Sequence, residues 1–138
     1  MLSYKGHKLD LKNFLSSEGI IEGYGSVFRN EKDSDGDIIV KGAYKKTLSE
    51  NAQRVKFLGY HDMSKPIGKM EDIHEDDYGL KFRAKISNTQ LGNDMKILIE
   101  DGVLNEFSVG FVPIVQEWDA SLKTNFIKKI KLFEVSLV

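Results

Sequence analysis

The chain has 138 residues, enough for one domain with a hydrophobic core that needs neither disulfides nor a bound metal to hold it together. With 20 lysines and arginines against 21 aspartates and glutamates the formal net charge is −1, which removes the electrostatic case for a nucleic-acid partner. The absence of cysteine excludes a thiol nucleophile and thiolate metal sites; no stretch reaches the length of a membrane span, and the opening MLSYKGHKLDLKNFL lacks the apolar core of a secretory signal, so the expectation is a soluble intracellular domain.

Residues 1–19 are set aside as an N-terminal segment and 20–138 as the core of a single domain. IIEGYGSVF (20–28) carries β-formers and aromatics, with Gly23 and Gly25 on one face where another backbone or a bend can come close. NEKDSDGD (30–37) is a polar loop with a Ser-Asp-Gly turn signal, and a short apolar strand, Ile38–Val40, follows it. From Ala43 to Gln53, Tyr44, Leu48 and Ala52 recur four apart, the stripe of a helix lying on the sheet or barrel surface. VKFLGYH (55–61) reads as a strand that places His61 at its end, because DMSKP behind it cannot extend a ladder. IGKMEDI and GLKFRAKIS flank the turn HEDDYG. In the second of these, Leu80, Phe82, Ala84 and Ile86 alternate with polar residues, the pattern of a half-solvated strand. NTQLGNDMKILIEDG predicts a second helix, capped by Asn88 or Thr89, with Leu91, Met95 and Leu98 on one face and Gly102 as a left-handed terminator. Three extended segments close the chain: Phe107–Val112, Ile114–Trp118 and Phe126–Val138. About seven short strands with two inserted helices predict a mainly β fold, an antiparallel barrel or strongly curled sheet with flanking helices.

The acidic loop fails as a hand-type calcium site. Counted from Asp33, Ile38 and Tyr44 stand where glycine and a bidentate glutamate are required, so a solvated turn is the better reading. The three histidines, His7, His61 and His74, show no close ligand spacing; neither a metal site nor a cofactor is expected.

Two polar residues sit in otherwise apolar strands. In LNEFSVGF, Phe107, Val109 and Phe111 share one face, which leaves the Ser108 hydroxyl on the other beside Gly110. Glu106 stands where a nucleophile elbow requires glycine, which disfavours an α/β-hydrolase. Ser108 is thus either a nucleophile of another fold or a hydrogen-bonded strand residue. In FIKKIKLFEVSLV, Ile130, Leu132, Glu134, Ser136 and Val138 share one face, so a carboxylate stands on a mainly apolar ridge. It must be paired or protonated there, for which a histidine N–H would serve, unless the strand is an edge and Glu134 reaches water or a neighbouring lysine.

GYGSVF, DSDGDIIVKGAY, LGYH followed by KPIG, YGLKFRAKI, LIEDGVLNEFSVGF and the closing LFEVSLV, in that order over residues 20–138, resemble the prohead maturation proteases of tailed bacteriophages, relatives of the herpesvirus assemblin proteases. The resemblance implies a herpesvirus-protease-like β-barrel of about six or seven strands and a serine endopeptidase. Its substrates would be capsid and scaffold proteins, in the host cytoplasm inside an assembling prohead. It implies His61 and Ser108 as base and nucleophile and Glu134 as the third member, with Asp62 the local competitor for that role. It also suggests a homodimer or larger oligomer. Gly110 is assigned to substrate binding, since its bare backbone would admit an extended peptide. Ser136 is a rival hydroxyl on the Glu134 face, read as structural. The alternative function is a non-catalytic capsid-assembly or scaffold-binding barrel.

Overall fold

Leu80, Phe82, Ala84 and Ile86 are inaccessible while Arg83 and Lys85 face solvent, so strand β6 (Gly79–Ile86) is half-buried as its alternation predicts. In the computed structural model, which describes residues 2–138, β6 belongs to one sheet with β1 (Ser3–Lys8), β2 (Ile20–Val27), β3 (Asp37–Ile39), β4 (Lys56–Gly59), β5 (Pro66–Glu75), β7 (Glu106–Asp119) and β8 (Thr124–Leu137). Two helices, α1 (Lys45–Asn51) and α2 (Gln90–Glu100), are inserted between strands.

The strand order is β1-β7-β8-β4-β5-β6-β2, and β8 lies inside the sheet. It pairs antiparallel with β7 along one side; along the other it pairs parallel with β4 near its end and with β3 near its start. The sheet curls until its far strand, β2, packs across β7. Glycine permits that approach, because a Cβ at Gly23 would stand 2.6 Å from the Phe107 ring and one at Gly25 would press on Val109 at 3.1 Å. Phe107 is the hub of the core, meeting Phe82 edge-on at 5.1 Å and Phe14 at 5.8 Å. The mainly β class with flanking helices is therefore as expected; the two parallel pairings on β8 are an addition, invisible to periodicity.

Helix α2 begins at Thr89, whose hydroxyl accepts the Gly92 N–H at 2.9 Å, and ends before Gly102 at φ +74°. Its buried residues are Gly92, Met95 and Ile99, with Leu91 and Leu98 half-buried beside them. Gly92 and Ile99 widen the stripe beyond the three residues the sequence suggested. Among the described residues no helix is long and apolar enough to cross a membrane.

Several boundaries differ from expectation, among them β4, which ends at Gly59 and leaves His61 in the turn beyond it, and α1, which is shorter than 43–53. Segments 107–112 and 114–118 are one strand, because β7 carries Pro113 through a run of register shifts where a missing N–H is tolerated. Pro66 opens β5 instead of merely closing the strand before it. The N-terminal segment contains β1, whose inward residues are Ser3, Lys5 and His7, so it lacks the apolar alternation by which strands are recognised.

Candidate active site

The chain leaves β4 at Gly59 and turns sharply back over β8. Tyr60 and His61 both adopt φ 58°, a left-handed conformation that costs a non-glycine residue on the order of 1 kcal/mol or more. The turn is held by hydrogen bonds from the Tyr60 N–H to the Leu137 carbonyl, from the Asp62 N–H to the Gly59 carbonyl and from the His61 N–H to the Ser136 hydroxyl, each 3.0 Å long. Its result is an imidazole suspended above the β7–β8 pair.

Within that pair Ser108 stands opposite Ser136 and Gly110 opposite Glu134. His61 lies between them. Its Nε2 is 2.8 Å from Ser108 Oγ and its Nδ1 is 2.5 Å from Glu134 Oε2. Since an ionised carboxylate only accepts, Nδ1 carries the proton toward Glu134, and Nε2 is left as the acceptor facing the serine hydroxyl. The other carboxylate oxygen, Oε1, receives the Ser136 hydroxyl at 2.6 Å. Glu134 is only 3 % exposed, and both of its oxygens are thus satisfied inside the fold. The edge-strand reading of Glu134 is excluded, because β8 has partners on both sides.

The sequence-derived site residues therefore divide clearly. Ser108, His61 and Glu134 converge. Asp62 does not join them; its carboxylate accepts the backbone N–H and hydroxyl of Ser64, at 2.9 and 2.6 Å, and faces Lys65 Nζ at 3.3 Å. The Ser64 hydroxyl, then its N–H and Lys65, hold that carboxyl below the usual range. Ser136 is a support, bonding both the Glu134 carboxylate and the His61 backbone. A Cβ at Gly110 would collide with the Glu134 carboxylate, so its bare backbone makes room for that side chain.

The sequence reading missed Tyr4 altogether. Its ring lies 4.3 Å from the His61 imidazole at a 39° tilt, and no pattern in SYKGHK announces that contact. The acidic loop is likewise more than a solvated turn, since Asp33, Asp35 and Asp37 surround the Lys5 ammonium.

An alcohol, an imidazole and a buried carboxylate in one hydrogen-bonded chain can pass a proton from the first to the second. The chain belongs to the caudovirus prohead serine protease family, whose model matches residues 7–138. It is 40 % identical over 96 residues to the prohead protease of Enterobacteria phage HK97, covering 68 % of this chain and 42 % of that protein. It is 35 % identical over 127 residues to the prohead protease of Escherichia phage T5, covering 89 % of this chain and 59 % of that protein. The chain thus spans about half the length of these relatives. Its fold matches the capsid assembly protease gp21 of bacteriophage T4 with a TM-score of 0.72 at 13 % identity, over 99 % of this chain and 96 % of that one.

Proposed function

We propose that this chain is a serine endopeptidase that cleaves capsid and scaffold proteins within an assembling prohead, with Ser108 as nucleophile, His61 as general base and acid, and Glu134 as the group that orients and stabilises the imidazole. The observation that carries this reading is the continuous chain from Ser108 Oγ through both ring nitrogens of His61 to the Glu134 carboxylate. Family membership and the names of the phage relatives support the choice of substrates.

In this reading Ser108 Oγ attacks the scissile carbonyl carbon while its proton passes to His61 Nε2. The carbon–nitrogen bond then breaks, the imidazolium returns that proton to the departing amine, and an ester to Ser108 remains. Water attacks the ester by the same route, releasing a carboxylic acid and restoring the hydroxyl. Base assistance of this kind contributes ~10²–10⁴-fold. Glu134, buried and already hydrogen-bonded, keeps the proton on Nδ1 so that Nε2 stays free to accept, and its charge offsets the imidazolium that forms.

A fluorophosphonate should label wild-type protein at Ser108, and Ser108→Ala should lose both the label and the cleavage of co-expressed capsid precursor while keeping its fold. Continued processing by the variant would overturn the assignment. Capsid binding without labelling of the wild type would instead make the domain an assembly factor.

A further inference from the structure

Strand β1 lies across the nucleophile as a peptide would. It pairs antiparallel with the edge of β7, setting Tyr4 opposite Gly110, Lys5 opposite Val109 and Gly6 opposite Ser108. The Lys5 carbonyl oxygen is 3.2 Å from Ser108 Oγ. On one side of that carbonyl Tyr4 covers the His61 ring. On the other, Gly6 crosses Ser108 so closely that a Cβ would come within 2.9 Å of the serine Cβ. The backbone is thus threaded through the site with a carbonyl at the hydroxyl and a small residue next in line.

The side chain of the residue carrying that carbonyl has its own receptacle. Lys5 Nζ stands 2.6 Å from Asp33, 2.9 Å from Asp37 and 3.1 Å from Asp35, and its side chain is 13 % exposed. The loop is built for the purpose: Asp33 Oδ1 accepts the N–H groups of Asp35 and Asp37, at 2.9 and 3.0 Å, which turns Oδ2 toward the ammonium. Burial opposes the lysine charge, but hydrogen bonds to Asp33, Asp37 and Asp35 outweigh it and hold the group above the usual lysine range. Without a cation, three carboxylates whose oxygens lie within 4.8 Å of one another would repel.

We propose that β1 occupies the substrate cleft in cis, and that Asp33, Asp35 and Asp37 form the pocket that selects lysine at the residue whose carbonyl is attacked. The proposal rests on the assignment of Ser108 as nucleophile. It adds a restraint on activity, because a serine hydroxyl has one proton, for which the Lys5 carbonyl at 3.2 Å competes with His61 Nε2 at 2.8 Å. A substrate strand must displace β1 from β7, taking over its ladder and its pocket.

Peptidyl phosphonates bearing a lysine-, alanine- or glutamate-like side chain next to phosphorus test this on the full chain, with Ser108 labelling followed by intact mass and an uncharged fluorophosphonate run alongside. The lysyl reagent should react roughly tenfold or more faster than the alanyl one and faster still than the glutamyl one. Asp35→Asn, which leaves the hydrogen bonds of Asp33 within the loop untouched, and Asp33→Asn should each reduce the lysyl-to-alanyl ratio, and Lys5→Ala should speed labelling by the fluorophosphonate. Equal lysyl and alanyl rates in the wild type, with Ser108 still labelled by the fluorophosphonate, overturn the pocket and leave the nucleophile standing. No labelling by any reagent, in the wild type or in Lys5→Ala, overturns the nucleophile assignment and this proposal together.

Discussion

The Ser136 hydroxyl donates to Glu134 Oε1 at 2.6 Å, which leaves Oε2 to the imidazole. The same oxygen of Ser136 accepts the His61 backbone N–H, so one side chain braces Glu134 and His61 at once. In the proposed mechanism Ser136 is a positioning residue. Ser136→Ala should lower kcat by about tenfold with KM nearly unchanged, since loss of a buried charge-assisted hydrogen bond costs about 1.5–3 kcal/mol and part of that falls on geometry. Ser136→Thr, which restores the hydroxyl, should recover most of the rate. A rise in KM alone would contradict the positioning role.

Glu134→Gln replaces an acceptor with an amide that can present an N–H to Nδ1. The imidazole then keeps its proton on Nε2, facing the serine, where it cannot act as a base. The expected loss in kcat is roughly 10³–10⁴-fold, with folding intact by circular dichroism. A loss of less than tenfold would mean that Glu134 does not select the tautomer.

Gly110→Ala tests the packing argument from the opposite strand. The new methyl group meets the Glu134 carboxylate, which is fixed by two partners and cannot move without breaking one. Overpacking of this kind costs about 1–3 kcal/mol, so a lowered Tm and a lowered kcat are expected together. An unchanged Tm with full activity would show that the carboxylate has another place to go.

Acid should loosen β1 before the rest of the sheet. Burial, reinforced by the charge of Arg29, holds His7 below the ordinary histidine value of 6.5. Burial pushes Asp33 up, yet the Lys5 ammonium and the Asp37 N–H prevail and hold it below the ordinary 3.8. Both groups bind protons less readily folded than unfolded. Their stabilisation is therefore present above the unfolded values and is lost as pH falls, first for His7 below 6.5 and then for Asp33 below 3.8. Lys5, shifted upward, runs the other way: its stabilisation is present below 10.5 and fades in strong alkali. The protection of the β1 amides, taken relative to the intrinsic exchange rate at each pH, should fall as the pH drops below 6.5, and His7→Leu should flatten that step. A uniform loss of protection across the sheet would count against a local cause.

Much of this protein is legible in its sequence because short-range patterns have short-range causes. The alternation of Leu80, Phe82, Ala84 and Ile86 makes β6, and Thr89 and Gly102 bound α2, since pleat, cap and left-handed turn are decided within a few residues. Ser108 and Glu134 could be singled out as polar residues in apolar strands, and family motifs suggested pairing them with His61. What only the tertiary structure decided is everything that depends on which strands become neighbours. β8 lies inside the sheet, so Glu134 is buried and needs His61 and Ser136; Gly110 lies opposite it, so its missing side chain serves the carboxylate. β1 escaped notice because its inward residues are serine, lysine and histidine, held by pairing with β7 and by carboxylates 28 to 32 positions along the chain. Periodicity records burial of apolar side chains; it carries no trace of a strand whose inward lysine is satisfied by charges from a distant loop.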